Sequence, residues 1–313
     1  MRLSTTLEPG AGKGGENSVT EIHSFNGKVL AEGRLELGEG PIYDFLTERA
    51  WWFDILGKTL WEYDPANGAI RPYPLPFMAS VLALVDGKRQ LLASDEGLFL
   101  RDVSTSALTP HLKLEPNRPG NRSNDGRVHP SGALWIGTMG KGAETGVGAI
   151  YHVAGATVTT LFDNISIPNA ICFSPDGATG YFADSRVNML MRVPLDPATG
   201  LPLGPASVLV DGRAEPGVFD GSVCDAEGTI WNVRWNAGAV DRYAPDGTRI
   251  ARYELPAKRT TCPAFIGEKA DRMIVTSAYE GLDEAARAVD SLAGATFELG
   301  ITVQGRHEPV FRL

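Results

Sequence analysis

A chain of 313 residues could hold two ordinary domains, but closed all-β folds commonly use this length for one. Its 43% hydrophobic and 21% charged residues are those of a globular chain with a large core, and a formal net charge of −9 leaves no basic stripe to neutralise nucleic-acid phosphates. No apolar run approaches the roughly 18 residues of a membrane span, and the N-terminus lacks the apolar heart of a secretory signal.

Residues 1–24 are rich in Gly, Ser and Glu with little to bury, and they predict a flexible tail ahead of a single domain over 25–313. From there, short apolar runs alternate with turn clusters such as DPANG at 64–68, HPSG at 129–132, SPDG at 174–177 and APDG at 244–247. That alternation predicts many antiparallel strands joined by tight turns.

The strand pairs also resemble one another. Ala50–Asp54 leads to Thr59–Tyr63, Gln90–Ser94 to Gly97–Leu100, and Ala133–Gly137 to Gly148–His152. Gly180–Asp184 leads to Met189–Val193, Thr229–Val233 to Gly238–Tyr243, and Arg272–Thr276 to Ala295–Leu299. Six copies about 40–50 residues apart predict a six-bladed β-propeller of four-stranded blades. A β-sandwich is the alternative, but it would not repeat one unit six times. Val29–Leu35 and Pro309–Leu313 are expected to add strands to one blade and so close the ring, since open ends would leave sheet edges exposed. The one predicted helix lies within Glu280–Leu292, an insertion in the last blade.

Four motifs precede strand units in different repeats: Glu39 in GEGPIYD, Asn124-Asp125 in NRSNDGRVHPSG, Asn169 in IPNAICFSPDG and Asp220 in VFDGSVCDAEG. Each alone also reads as an ordinary turn. At equivalent places of a ring they converge on its axis, where one Glu, one Asp and amide oxygens suit a hard divalent cation. Zinc-type histidine spacing, a GxSxG elbow and nucleotide-binding glycine motifs are all missing from the sequence. Cys172, Cys224 and Cys262 are isolated and odd in number, which argues against a disulfide framework and for a reduced, cytoplasmic setting. His129 reads as a structural turn residue, the tryptophans as packing between blades, and Trp235 as a candidate for a pocket wall.

With its GEGP opening, Arg122-Ser123-Asn124-Asp125-Gly126, Gly137-Thr138-Met139, IPNAICFSPDG, YFADS, FDGSVCDAEGTIW and closing HEPVFR, the chain resembles the senescence-marker-protein/gluconolactonase/regucalcin family. The likeness runs from about Leu35 to Arg312. It implies a lactonase acting on a small sugar lactone, with Glu39, Asn169 and Asp220 as metal ligands, Asp220 also as general base, and Arg122 and Asn124 as sugar-binding groups. It implies one divalent ion: Ca²⁺ or Zn²⁺ foremost, with Mg²⁺, Mn²⁺ and Fe²⁺ also compatible with such donors. Where some members carry a substrate-binding glutamate this chain has Gly142, so Glu144 is the expected substitute and Lys141 a second candidate. A calcium-binding regulatory protein is the alternative function; phosphotriester hydrolysis would favour a more apolar pocket.

Overall fold

The structure, a computed structural model, describes residues 20–313. Six sheets follow one another around a ring. Their innermost strands are Gly38–Asp44, Ala79–Asp86, Asn121–Val128, Pro168–Phe173, Val218–Cys224 and Thr260–Ile266. Each blade then meanders outward through antiparallel neighbours, so the expected six-bladed propeller is the observed fold. Its core is divided among six apolar clusters, one in each seam between adjacent blades. Trp51 and Phe53 fill the seam between blades one and two, Trp135 and Phe173 that between three and four, and Trp231 and Phe297 that between five and six. Burying such rings face by face is what the repeated aromatic strand sequence accomplishes.

The ring closes through Lys28–Ala31, which pairs antiparallel with Thr296–Glu298 as the outermost strand of blade six. The N-terminal half of the expected closure is therefore present, with Trp52 fully buried in the seam it completes. The C-terminal half differs. Pro309–Leu313 forms no strand; it belongs to a tail that crosses the floor of the ring. Along its course Val303 N donates to Asp271 O (3.0 Å), Gln304 O accepts from Ala226 N (2.8 Å), Phe311 N donates to Leu84 O (2.7 Å) and Arg312 N to Gly132 O (3.0 Å). Phe311 buries in the seam between blades two and three, and this anchoring replaces strand pairing.

The expected 1–24 tail overlaps an observed element. Residues 1–19 lie outside the described residues, but Glu21–His23 adds a parallel fifth strand to blade five, with His23 stacked on Tyr253 at 4.6 Å. Three exposed residues with one apolar position carry too little pattern for that strand to be read from sequence. The helix is Glu284–Val289, inside the expected insertion, with Asp283 capping it through the Ala286 amide. Among the described residues no helix is long and apolar enough to cross a membrane.

Candidate metal centre and active site

Every inner strand breaks register near its entry end, between Glu39/Ile42, Ala79/Val81, Ser123/Gly126, Asn169/Cys172, Phe219/Ser222 and Thr260/Pro263. Such bulges bend a strand and re-aim its side chains. The motif residues sit at four of these six bulges, though with a stagger that sequence spacing did not reveal. Glu39 and Asn169 are the last laddered residues before the break, whereas Asn124 and Asp220 lie inside it. In blades one and four the next residue, Gly40 or Ala170, takes a positive φ of 55° or 58°. A Cβ on Gly40 would also lie 2.1 Å from Ser80 O, so glycine is required there twice over. Gly221 meets a different demand: its missing side chain leaves room for Cys262 of the next blade.

Aspartates at the ends of second strands hold the segments leading to the bulges. Asp54 accepts from the amides of Glu36 and Leu37, both at 3.1 Å, just before Glu39. Asp184 repeats this with Ser166 (2.8 Å) and Ile167 (3.1 Å), just before Asn169. Both aspartates close the repeated apolar-strand pattern, which is the signal that could have exposed their role.

The structure joins Asn124 and Asn169 directly. Asn124 Nδ2 donates to Asn169 Oδ1 at 3.0 Å and to Pro168 O at 2.9 Å, while its own Oδ1 accepts from Arg122 Nη1 at 2.8 Å. Asn169 Nδ2 donates to Ser185 Oγ (2.8 Å), which donates to Phe219 O (2.6 Å), the neighbour of Asp220. Hydrogen bonds thus run unbroken from Arg122 in blade three to the strand of Asp220 in blade five.

Glu39 and Asp220 share this electrostatic site. Burial, then the nearby Asp125 carboxylate, push Glu39 up to about 8. Burial, then the charge of Glu39, hold Asp220 well above the usual carboxylate range. Their polar contacts are the Gly40 and Gly221 amides, and among the described residues neither carboxylate forms an ion pair. Asp125 itself accepts from the Ile171 amide at 2.7 Å and lies beneath them. Along the channel, the carboxyl groups of Glu39, Asp125, Asp220 and the tail residue Glu308 accompany two guanidiniums, Arg122 and Arg127, and once fully ionised they would exceed them by two negative charges. All-oxygen donors with that charge excess fit one hard dication. Among the described residues no trio of His, Cys, Asp or Glu groups as ligands, so such an ion would depend on the Asn169 amide oxygen.

The remaining candidates separate. Lys141 reaches to Asp95 Oδ2 at 2.8 Å, and the Asp95 charge is felt by Arg122, which places Lys141 on the pocket rim. Glu144 is exposed and folds back on its own loop, accepting from Gly142 N at 3.1 Å. Glu280, unremarked in the sequence, also acts on Arg122 and Asp220, and its amide bonds Glu36 O at 2.8 Å near the start of the Glu39 strand. Trp235 ends a strand of blade five, half-buried under Arg259, whose guanidinium lies 5.3 Å from its ring. His129 is structural as expected, its Nε2 bonded to Gly177 O at 2.9 Å. Burial pushes all three cysteine thiols up, which keeps them neutral and unsuited to nucleophilic attack.

Comparison with known proteins gives this site its family. The model of the SMP-30/gluconolactonase/LRE-like region matches residues 37–279. The chain belongs to that family. A crystal structure of a calcium-binding protein, regucalcin, from Agrobacterium tumefaciens str. C58 superposes with a TM-score of 0.93 at 60% identity, covering 94% of this chain and 100% of that one. A Rhizobium meliloti (strain 1021) protein named "Putative sugar lactone lactonase" is 59% identical over 295 residues, 94% of this chain and all of the relative. The L-arabinolactonase of Azospirillum brasilense is 35% identical over 296 residues, 92% of this chain and 95% of that enzyme. The span matched by the model of the SMP-30/gluconolactonase/LRE-like region contains all four motif strands.

Proposed function

We propose that the protein is a lactonase that opens sugar-acid lactones, using one divalent ion held by Glu39, Asn169 and Asp220. The observation that carries this reading is the half-buried Glu39 and buried Asp220 carboxylates beside the Arg122–Asn124–Asn169 hydrogen-bond run. Its support among relatives is the lactonase naming of the Rhizobium and Azospirillum proteins.

A bound dication would polarise the lactone carbonyl as a Lewis acid. Asp220 takes a proton from the attacking water as its oxygen bonds to the carbonyl carbon. The carbonyl π pair moves onto oxygen, then returns as the ring C–O bond breaks. Asp220 gives the proton back to the departing ring oxygen, which leaves as a hydroxyl group. Arg122, a rigid donor fork fixed by Asn124, orients the polyhydroxy ring, and Lys141 on the rim adds a second donor toward the sugar. No protein nucleophile is needed because a lactone is already an activated ester.

The test is a panel of gluconic, galactonic, xylonic and arabinonic lactones against chelator-stripped protein reloaded with Ca²⁺, Zn²⁺, Mg²⁺, Mn²⁺ or Fe²⁺. Proton release should depend on metal and differ among the lactones. Metal binding without turnover of any lactone would favour a calcium-binding regulatory role instead, the reading that the name of the Agrobacterium regucalcin supports.

A further inference from the structure

Below the site lies the guanidinium of Arg127, held by partners from three elements. Its Nη2 donates to Ser222 O in blade five at 3.0 Å and its Nε to Ile171 O in blade four at 3.4 Å. Its Nη1 pairs with Glu308 Oε1 at 3.0 Å, and both side chains are largely buried. Glu308 belongs to the tail across the floor, 181 residues away in sequence. Asp125, two residues before Arg127, takes the amide of the same Ile171 whose carbonyl Arg127 takes. From the mouth downward, charged groups therefore stack as Glu39 with Asp220, then Asp125, then Arg127, then Glu308.

We propose that Glu308 is a positioning residue for the metal centre: it neutralises Arg127 and holds it on the floor, keeping that cation from repelling the ion and from pairing with the site carboxylates. The inference rests on the metal-dependent reading above. A lone buried guanidinium beneath the site would be costly and would act on the site at low dielectric. Its alternative partners are Asp125 and, above it, Glu39 and Asp220, the two carboxylates that a dication needs free. The closing tail thereby serves the mouth as well as sealing the ring.

Titration calorimetry of Ca²⁺ and Mn²⁺ into chelator-stripped full-length protein tests this. Glu308→Gln should weaken binding about tenfold. Removing both charges, in Arg127→Met with Glu308→Gln, should restore affinity to within about threefold of the parent, which a packing defect would not do. Glu308→Asp should stay near the parent. Parent-like affinity in Glu308→Gln, or equal weakening in the single and double variants, overturns the proposal. Should Glu308→Gln fail to fold, a folded double variant with parent-like affinity supports it, and failure of both assigns the tail a purely structural role. If the parent protein binds neither ion, it is the metal-dependent reading that falls.

Discussion

The two ends of the channel handle charge in opposite ways. At the floor, Arg127 meets Glu308 and two carbonyls, and the tail bonds four blades on its way across. At the mouth, the charge of Glu39 raises the proton affinity of Asp220, Asp125 raises that of Glu39, and among the described residues neither Glu39 nor Asp220 forms an ion pair. Folding alone gives no reason to gather unpaired acids on an axis, since each costs desolvation and repels the other. The difference teaches where ligand is meant to enter: interactions are completed at the floor by the chain itself and left to be completed at the mouth by something else.

The sharpest way to break that contrast is to remove the proposed base. Asp220→Ala should reduce lactone hydrolysis roughly 10²–10⁴-fold, measured at saturating metal, while the folded state is retained. Near-parental turnover in that metal-loaded variant would remove Asp220 from the base role. The matching change at the floor should do the reverse. Phe311→Ala empties a fully buried ring site between blades two and three and should cost about 3–5 kcal/mol of stability, read by denaturant unfolding, with kcat of the folded protein preserved.

A subtler effect comes from pH. Glu39 rises from 4.5 when unfolded to about 8 in the metal-free fold, so the fold favours its protonated form. Its contribution is fully present below pH 4.5 and is lost as pH climbs through about 8. Chelator-treated protein should therefore show a falling melting temperature across that window, while protein with excess Ca²⁺ should not. A flat profile without metal would contradict the electrostatic coupling of the mouth.

The same contrast explains what sequence could convey. The blades were legible because each repeats an apolar strand, a short link and an alternating strand, and inter-blade packing then demands the aromatic residues seen at Trp51, Trp135 and Trp231. Glu39, Asn124, Asn169 and Asp220 were legible as motifs, but their one-residue stagger was not, because a bulge leaves no fixed mark on spacing. Floor chemistry was harder still. Arg127 and Glu308 meet only after the ring has closed, and VFRL at the C-terminus is β-branched and aromatic like a strand although Phe311 and Arg312 each make a single backbone bond to a different blade. Glu144, close to Gly142 in sequence, accepts a bond from that loop's own amide, a local contact that sequence alone could not show.

The smallest expected effect lies farthest from the axis. Deleting residues 1–24 removes the Glu21–His23 strand, whose Ile22 is 67% exposed, and the His23–Tyr253 stack. It leaves Lys28–Ala31 and the closing seam intact. Apolar area that remains in water contributes little, so stability should fall by no more than about 1 kcal/mol, with metal affinity and kcat/KM unchanged. Unfolding and turnover measured on the same truncated sample check both halves. A loss of several kcal/mol would mean that closure extends outward past blade six, and that the parallel strand on blade five is a second clasp of the ring.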